Sequence, residues 1–362
     1  MFNDNNVSIF NGKKLNIKVY GASHADKIGV EVNGLTKGEV FDKTILQDFC
    51  DRRKPKTAKY STTRKEQDIV NYLSGVLDDG TFDGNTFSAV IYNTDQKSND
   101  YSSVVKTPRP SHADFPAWVK YGDNFDYRGG GKFSGRMTAP ICIIGGICKQ
   151  LLQKKGISIN AYISSIGKVK GVSYKDTDPL LPDLSNIDYN FPLADNSYKP
   201  AFEDEISSAV KTGDSVGGTV ECVITGVPVG LGEFMFDSIE SVISHLVFAV
   251  PAIKGIEFGK GFDISTLNGS TANDPLYVKD GKVYTKTNNN GGINGGLANG
   301  MPITFRVAVK PTPTILKEQQ TVNLDTMQNT LLTARGRHDG CIAVRVVPVI
   351  EAVSAIALYD LL

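Results

Sequence analysis

Residues 138–163 read TAPICIIGGICKQLLQKKGISINAYI, and this stretch decides the architecture. From Thr138 to Lys155 apolar side chains occupy most sides of a helix, and Gly156 supplies a C-cap. A helix with so little polar surface must be buried between other layers. Immediately after it Ile157, Ile159, Ala161 and Ile163 alternate with their neighbours at the period of a strand. Buried helix followed by strand, without a strict strand–helix alternation elsewhere, predicts an α+β fold with helices sandwiched between antiparallel β-sheets.

Working outward, Leu15, Ile17 and Val19 alternate, as do Ile28, Val30 and Val32. Both read as half-buried strands, with the polar loop Tyr20–Asp26 between them. Ile303, Phe305, Val307 and Val309 give a further strand. Residues 203–212 follow a Pro, open on Glu-Asp-Glu and stop at Gly213, the signals of a helix. Residues 66–77 (EQDIVNYLSGVL) have apolar side chains at helical spacing, and Pro348 to Leu362 reads as an apolar helix. Lys168 to Lys199 reads as an irregular surface excursion. Residues 264–300, rich in Gly and Asn, read as a flexible flap. No fixed-period repeat is visible.

Composition narrows the function classes. Lys plus Arg and Asp plus Glu each total 39, so no global charge steers the chain to nucleic acid or an anionic membrane. The five cysteines, Cys50, Cys142, Cys148, Cys222 and Cys341, are widely spaced and form no CxxC pair. That argues against a disulfide framework or zinc site, predicts no metal, and fits a reducing compartment, the cytoplasm. The N-terminus lacks a signal-peptide pattern. The longest apolar stretch, Ala139 to Cys148, falls well short of the ~20 residues a membrane helix requires.

Chemistry concentrates in loops. Of the four histidines, His24, His112 and His338 sit in GASHAD, RPSHAD and GRHDG, whereas His245 lies in an apolar helical pattern. A loop histidine is either idle or an acid–base group near neutral pH. The run Arg52-Arg53-Lys54-Pro55-Lys56, with Lys59, Arg64 and Lys65, is either a solvated face or a clamp for phosphate and carboxylate. Arg109, Arg128, Lys132, Arg136, Lys310, Arg335 and Arg337 add cations beside Gly, Pro or His. Gly129-Gly130-Gly131-Lys132-Phe133-Ser134 leads into the buried helix, an arrangement that offers backbone N–H groups to an anion. It is not a Walker loop, because Phe133 stands where Ser or Thr must follow Gly-Lys. No GxGxxG lies between a strand and a helix. Gly213–Gly217 matches GxSxG, but with the helix before it and the strand after, the reverse of a nucleophile elbow. These residues by themselves point to a small phosphorylated, carboxylated substrate and leave the reaction open.

Gly21-Ala22-Ser23-His24, Asp51-Arg52-Arg53-Lys54-Pro55, Asn93-Thr94-Asp95-Gln96-Lys97-Ser98, Arg109-Pro110-Ser111-His112-Ala113-Asp114, Asp126-Tyr127-Arg128-Gly129-Gly130-Gly131 and Gly336-Arg337-His338-Asp339 together resemble the motifs of chorismate synthases. So do Gly213–Gly218, Lys254–Gly259 and Lys310-Pro311-Thr312, so the resemblance spans the chain. It implies one large domain over 1–362, with flexible active-site loops near 51–65 and 264–300, assembled as a homotetramer. It implies a lyase that forms chorismate from 5-enolpyruvylshikimate-3-phosphate by 1,4-anti elimination of phosphate, with reduced FMN as cofactor. NADPH would be the reductant, directly or through another protein. By resemblance the catalytic residues are His24, His112, Asp339, Ser23 and Ser134. FMN would meet Lys132, Phe133, Ser134, Ala252, Gly295, Lys310, Pro311, Thr312, Pro313, Thr314 and Arg337. Arg52, Arg53, Lys59 and Arg136 would bind substrate or NADP phosphate. The chain departs from the pattern at Ala22 for Glu, Lys132-Phe133 for Arg-Ser and Gly340 for Pro. These departures leave open a flavin-binding paralogue without activity. A second alternative, RNA binding by the basic run, is opposed by its few aromatics and the neutral net charge.

Overall fold

The computed structural model describes residues 6–55, 61, 66–95, 106–177, 181–334 and 339–362. Two five-stranded antiparallel sheets enclose the helices. The first contains β1 (Val7–Asn11), β2 (Asn16–Gly21), β3 (Lys27–Asn33), β4 (Asn71–Ser74) and β5 (Phe87–Tyr92), in the order β1-β2-β3-β5-β4. The register pairs Ile17 with Val32 and Val30 with Ala89, so the alternating apolar residues share one buried face. After β3 comes α1 (Lys43–Asp51), capped by Asp42, whose carboxylate accepts from the N–H groups of Thr44 and Ile45. Then follow α2 (Asp114–Tyr121) and α3 (Thr138–Gln153).

The second sheet contains β6 (Ser158–Ile166), β7 (Val169–Lys170), β8 (Gly218–Thr225) and β9 (Ile253–Phe258). Short helices α4 (Tyr174–Thr177), α5 (Lys199–Lys211), α6 (Ile239–Phe248) and α7 (Gly269–Ala272) lie between its strands and after β9. Two hairpins follow, β10 (Leu276–Lys279) with β11 (Lys282–Thr285) and β12 (Ile293–Asn294) with β13 (Leu297–Ala298). The sheet is completed by β14 (Ile303–Val309), in the order β7-β6-β8-β14-β9. A last hairpin, β15 (Gln319–Asn323) and β16 (Gln328–Leu332), precedes α8 (Ala343–Leu361).

Helices α3 and α8 pack on each other at the centre. Helix α3 also lies on β3 and β5, and α8 on β6 and β8. The predicted burial of α3 is therefore met: its residues from Cys142 to Cys148 are all buried. Helix α8 is more deeply buried still, with only Arg345 and Leu361 outside the core. It begins earlier than the predicted Pro348, which the helix carries inside it. Asp360 near its end accepts from the N–H groups of Lys13 (2.9 Å), Lys14 (2.9 Å) and Leu15 (2.7 Å), tying the last helix to the first hairpin.

One predicted helix is a correction. Residues 66–77 form no helix; Asn71–Ser74 is the edge strand β4, paired with β5. Ile69, Leu73 and Leu77, which supplied the helical period, are exposed. Asp68 at φ +50° and Gly75 at φ +79° bend the chain at both ends, and the open edge of β5 satisfies its backbone groups. Residues 264–300 are cross-linked through Asp274, which accepts from Thr287 Oγ1 (2.6 Å), Asn289 N (2.8 Å) and Asn290 N (3.0 Å). The Gly213–Gly217 turn does run from α5 to β8, with the helix first.

Candidate active site

The first turns of α3 and α8 open into one cavity of about 580 Å³, where Thr138 of α3 and Ile342, Arg345, Val346 and Val349 at the start of α8 form part of the wall. Two positive helix ends thus converge on one hollow. Its apolar side is Val250, Pro251, Ile342, Val346 and Val349; its polar side has more cations, Arg53, Arg109, Lys132, Arg136, Lys310 and Arg345, than carboxylates, Glu66, Asp68, Asp95 and Asp339.

The Gly129–Gly131 turn assembles the histidines. All three glycines are left-handed, with φ of +58°, +83° and +53°. A Cβ on Gly129 would lie 2.5 Å from His24 Cε1 and 2.6 Å from Ser23 Oγ; one on Gly130 would lie 3.2 Å from His112 Nε2. The close approach and the backbone sign both require glycine here. Gly131 accepts a hydrogen bond from Ser23 N at 3.1 Å, which binds the β2–β3 loop to the turn. Ser134 then caps the residues before α3, accepting from Arg136 N.

His112 is held by Asp114. The Nδ1–H donates to Asp114 Oδ1 at 2.7 Å, an assignment that follows from the acceptor-only carboxylate, and leaves Nε2 for chemistry. Asp114 also accepts from Arg109 Nε (2.7 Å) and Nη2 (2.8 Å). Burial alone would raise the Asp114 pKa, but the bonds from Arg109 and His112 hold it well below the usual carboxylate range. Three residues with a Cβ adopt left-handed backbone on the wall, Asp68 at φ +50°, Ser111 at φ +57° and Ala252 at φ +73°. Lys310 ties the last two together, with bonds from Nζ to Ser111 O (2.6 Å) and from N to Ala252 O (3.0 Å). Burial first, and then Lys254, lowers the Lys310 pKa.

A family model described as "Chorismate synthase" matches residues 15–362. The chain belongs to the chorismate synthase family. A chorismate synthase of Dehalococcoides mccartyi is 42% identical over 351 residues, covering 97% of this chain and 95% of that protein. One from Thermococcus kodakarensis is 42% identical over 355 residues, covering 96% of each. A crystal structure of a chorismate synthase superposes with a TM-score of 0.74 at 25% identity, covering 97% of this chain and 92% of the other. The expected family and fold class are therefore established.

The cavity brings together most of the residues that the family motifs single out. Ser23, His24, His112, Ser134 and Asp339 all line it, as do Arg53, Lys132, Phe133, Arg136, Ala252, Lys310, Thr312, Pro313 and Thr314. Lys59, Arg337 and His338 lie outside the described residues, as does most of the basic run after Pro55. Arg52 is not on the wall. It makes a bidentate pair with the buried Glu351 (2.8 and 2.7 Å) and lies 3.9 Å from the Tyr189 ring, because its neighbour Arg53 takes the inward direction. Gly295 sits in the turn between β12 and β13, and Pro311 packs against Gly217; neither reaches the wall. His245 is set edge-on to Phe10, outside the cavity.

Sequence reasoning gave no role to four residues of the site. Asp68 bridges Arg53 and Arg136. Asn93 donates to Ala25 O (2.6 Å) and accepts from Arg136 Nε (2.9 Å). Glu66 accepts from Thr94 N (2.9 Å) and Asp95 N (3.3 Å). Arg345 donates to Asp339 Oδ2 (2.6 Å) and to Arg53 O (3.0 Å). Asn93 stood in the Asn93–Ser98 motif without a role, and Arg345 carried a local signal, as a lone charge inside the apolar run from Cys341 to Ile350.

Proposed function

We propose that this chain converts 5-enolpyruvylshikimate-3-phosphate to chorismate, eliminating phosphate across a 1,4-anti geometry as a carbon–oxygen lyase with reduced FMN. The observation that carries the reading is the meeting of His24, His112 and Asp339 on the wall of one cationic cavity. Family membership supplies the reaction; the cavity gives its charged substrate a place.

The residues present fit FMN. The volume lies within the range of cofactor sites, ~300–1,000 Å³. The apolar wall of Val250, Ile342, Val346 and Val349 suits a flat ring. Thr312 Oγ1 and Arg136 Nη2 are buried without a hydrogen-bond partner among the described residues, which suits anionic oxygens. Lys310, Thr312, Pro313, Thr314, Ala252, Lys132, Phe133 and Ser134 would hold the cofactor. Bound there, reduced FMN supplies the electron-rich ring chemistry that this redox-neutral elimination needs.

The chain's own groups do the rest. His24 gives a proton to the departing phosphate as general acid. His112, fixed through Nδ1 by Asp114, offers Nε2 to the cofactor side. Asp339, oriented by Arg345, helps to manage the proton at the ring, and Ser23 and Ser134 relay protons along the glycine turn. Arg53 and Arg136 bind the substrate's phosphate or carboxylates. The buried, unbridged cysteines support a cytoplasmic location. Among the described residues no helix is long and apolar enough to cross a membrane. Homotetramer assembly is supported by the exposed apolar residues Val229, Phe234, Met235 and Phe236.

Purified protein with photoreduced FMN and the substrate, under anaerobic conditions, is expected to release phosphate and develop chorismate absorbance. No product under those conditions overturns the reading. With NADPH and oxidised FMN in air, no chorismate is expected, since another protein supplies the reduced flavin.

A further inference from the structure

We propose that Asp68 is a positioning residue, a single carboxylate that clamps the Arg53 and Arg136 guanidiniums at one spacing so that their remaining N–H edges meet the substrate's anion together. The proposal rests on the elimination reading for the identity of that anion. All three side chains are at least nine-tenths buried and line the cavity. Asp68 Oδ2 accepts from Arg53 Nη2 at 2.5 Å, and Oδ1 from Arg136 Nη1. Two guanidiniums so close repel strongly in a low-dielectric wall, and the carboxylate between them offsets that repulsion. Two cations and one anion leave the trio one positive charge. Arg53 Nε and Arg136 Nη2 have no hydrogen-bond partner among the described residues, so each guanidinium keeps donor capacity.

The clamp is itself held on both sides. Asp68 has a left-handed backbone, φ +50°. Gln47 of α1 pins it there, donating from Nε2 to Asp68 O (3.1 Å) and accepting from Val70 N (3.0 Å). On the other side Arg136 Nε reaches Asn93, which donates to Ala25 O in the His24 loop. The carboxylate therefore sets the position of the anion-binding pair and, through Asn93, of the loop carrying the acid. Arg345 adds a hold on the Arg53 carbonyl.

The test separates charge from position. Asp68→Asn keeps the shape and removes the anion, leaving two cations with no counter-charge between them. Inorganic phosphate, titrated by calorimetry, should bind the variant as tightly as the native protein or tighter. The kcat per folded active site should fall about tenfold to a hundredfold, the scale of a small misplacement of reacting groups. Asp68→Glu restores the charge at a different spacing and should not restore kcat. An unchanged kcat, or phosphate affinity lost together with kcat, overturns the proposal. If Asp68→Asn does not fold, Gln47→Ala releases the backbone hold while leaving the Asp68 carboxylate in place, at the further loss of the Gln47 Nε2 bond to Asp51 Oδ1 (2.7 Å), and should show the same split, with retained phosphate binding and reduced kcat.

A turnover-free arm keeps the clamp separable from the reaction. In the native protein, Arg53→Lys and Arg136→Lys should affect phosphate binding non-additively, by threefold or more. In the Asp68→Asn background the two should become additive. Additivity in both backgrounds sinks the clamp. Native protein that forms no chorismate, yet shows this coupling, sinks the elimination reading alone.

Discussion

At the residue scale the site depends on three consecutive glycines. A methyl group on Gly129 would overlap His24 and Ser23, and its φ of +58° disfavours any side chain. Gly129→Ala is expected to lose about 1–2 kcal/mol of stability from the backbone conformation. It should lose far more activity, because relieving the overlap displaces the His24 imidazole. Urea denaturation compared with chorismate formation checks this; equal and small effects on both would show that His24 tolerates displacement. The glycines, His24 and His112 were legible in the sequence because each sits in a short, polar, Gly- or Pro-flanked loop. Asp68 was not, because its segment has the apolar spacing of a helix and its partners lie 15 and 68 residues away.

At the element scale the contact that sets the layers is α3 against α8. An added Cβ on Gly145 would lie 2.3 Å from Ala352 Cβ and 2.4 Å from its Cα, so the two helix backbones touch there. Gly145→Ala should destabilise the protein by at least about 2 kcal/mol, within the range of overpacked cores. The guanidinium denaturation midpoint measures it. Glu351 gives α8 a second constraint. Burial would raise its pKa, but Lys149 and Arg52 outweigh that and hold it at about 2, against an ordinary 4.5. A carboxylate whose folded pKa is depressed contributes stability above its unfolded pKa and loses it as pH falls through the folded one. Native stability should therefore decline between about pH 5 and pH 2. Glu351→Gln leaves two cations without their buried partner and should cost about 3–5 kcal/mol at pH 7. The gap between variant and native should narrow by pH 3. A gap independent of pH would mean that the carboxylate's charge does not stabilise the fold.

At the scale of the whole molecule, a chain of zero net charge sets six cations on one cavity wall and leaves a run of apolar side chains exposed elsewhere. Phe236 is 90% exposed, and Phe234 and Met235 beside it are 65% and 71% exposed. On the proposed tetramer, Phe236→Asp is expected to lower the mass measured by light scattering below that of the unsubstituted protein without unfolding the chain; an unchanged mass assigns this patch no part in assembly. The sequence by itself determined the central buried helix, the alternating strands on both sides of it and the loops that carry the histidines. Those features are periodic or local, and burial writes them directly into the order of apolar and polar residues. Tertiary structure alone decided which cations face the cavity. Arg52 and Arg53 are neighbours with the same chemistry, yet one reaches the wall and the other pairs with Glu351, 299 residues away. Within residues 66–77, Asn71–Ser74 became an edge strand for the same kind of reason, because the partner that completes it, β5, lies further along the chain. Ion pairs and strand partners between remote positions leave no period in the sequence, and only the packed layers bring them together.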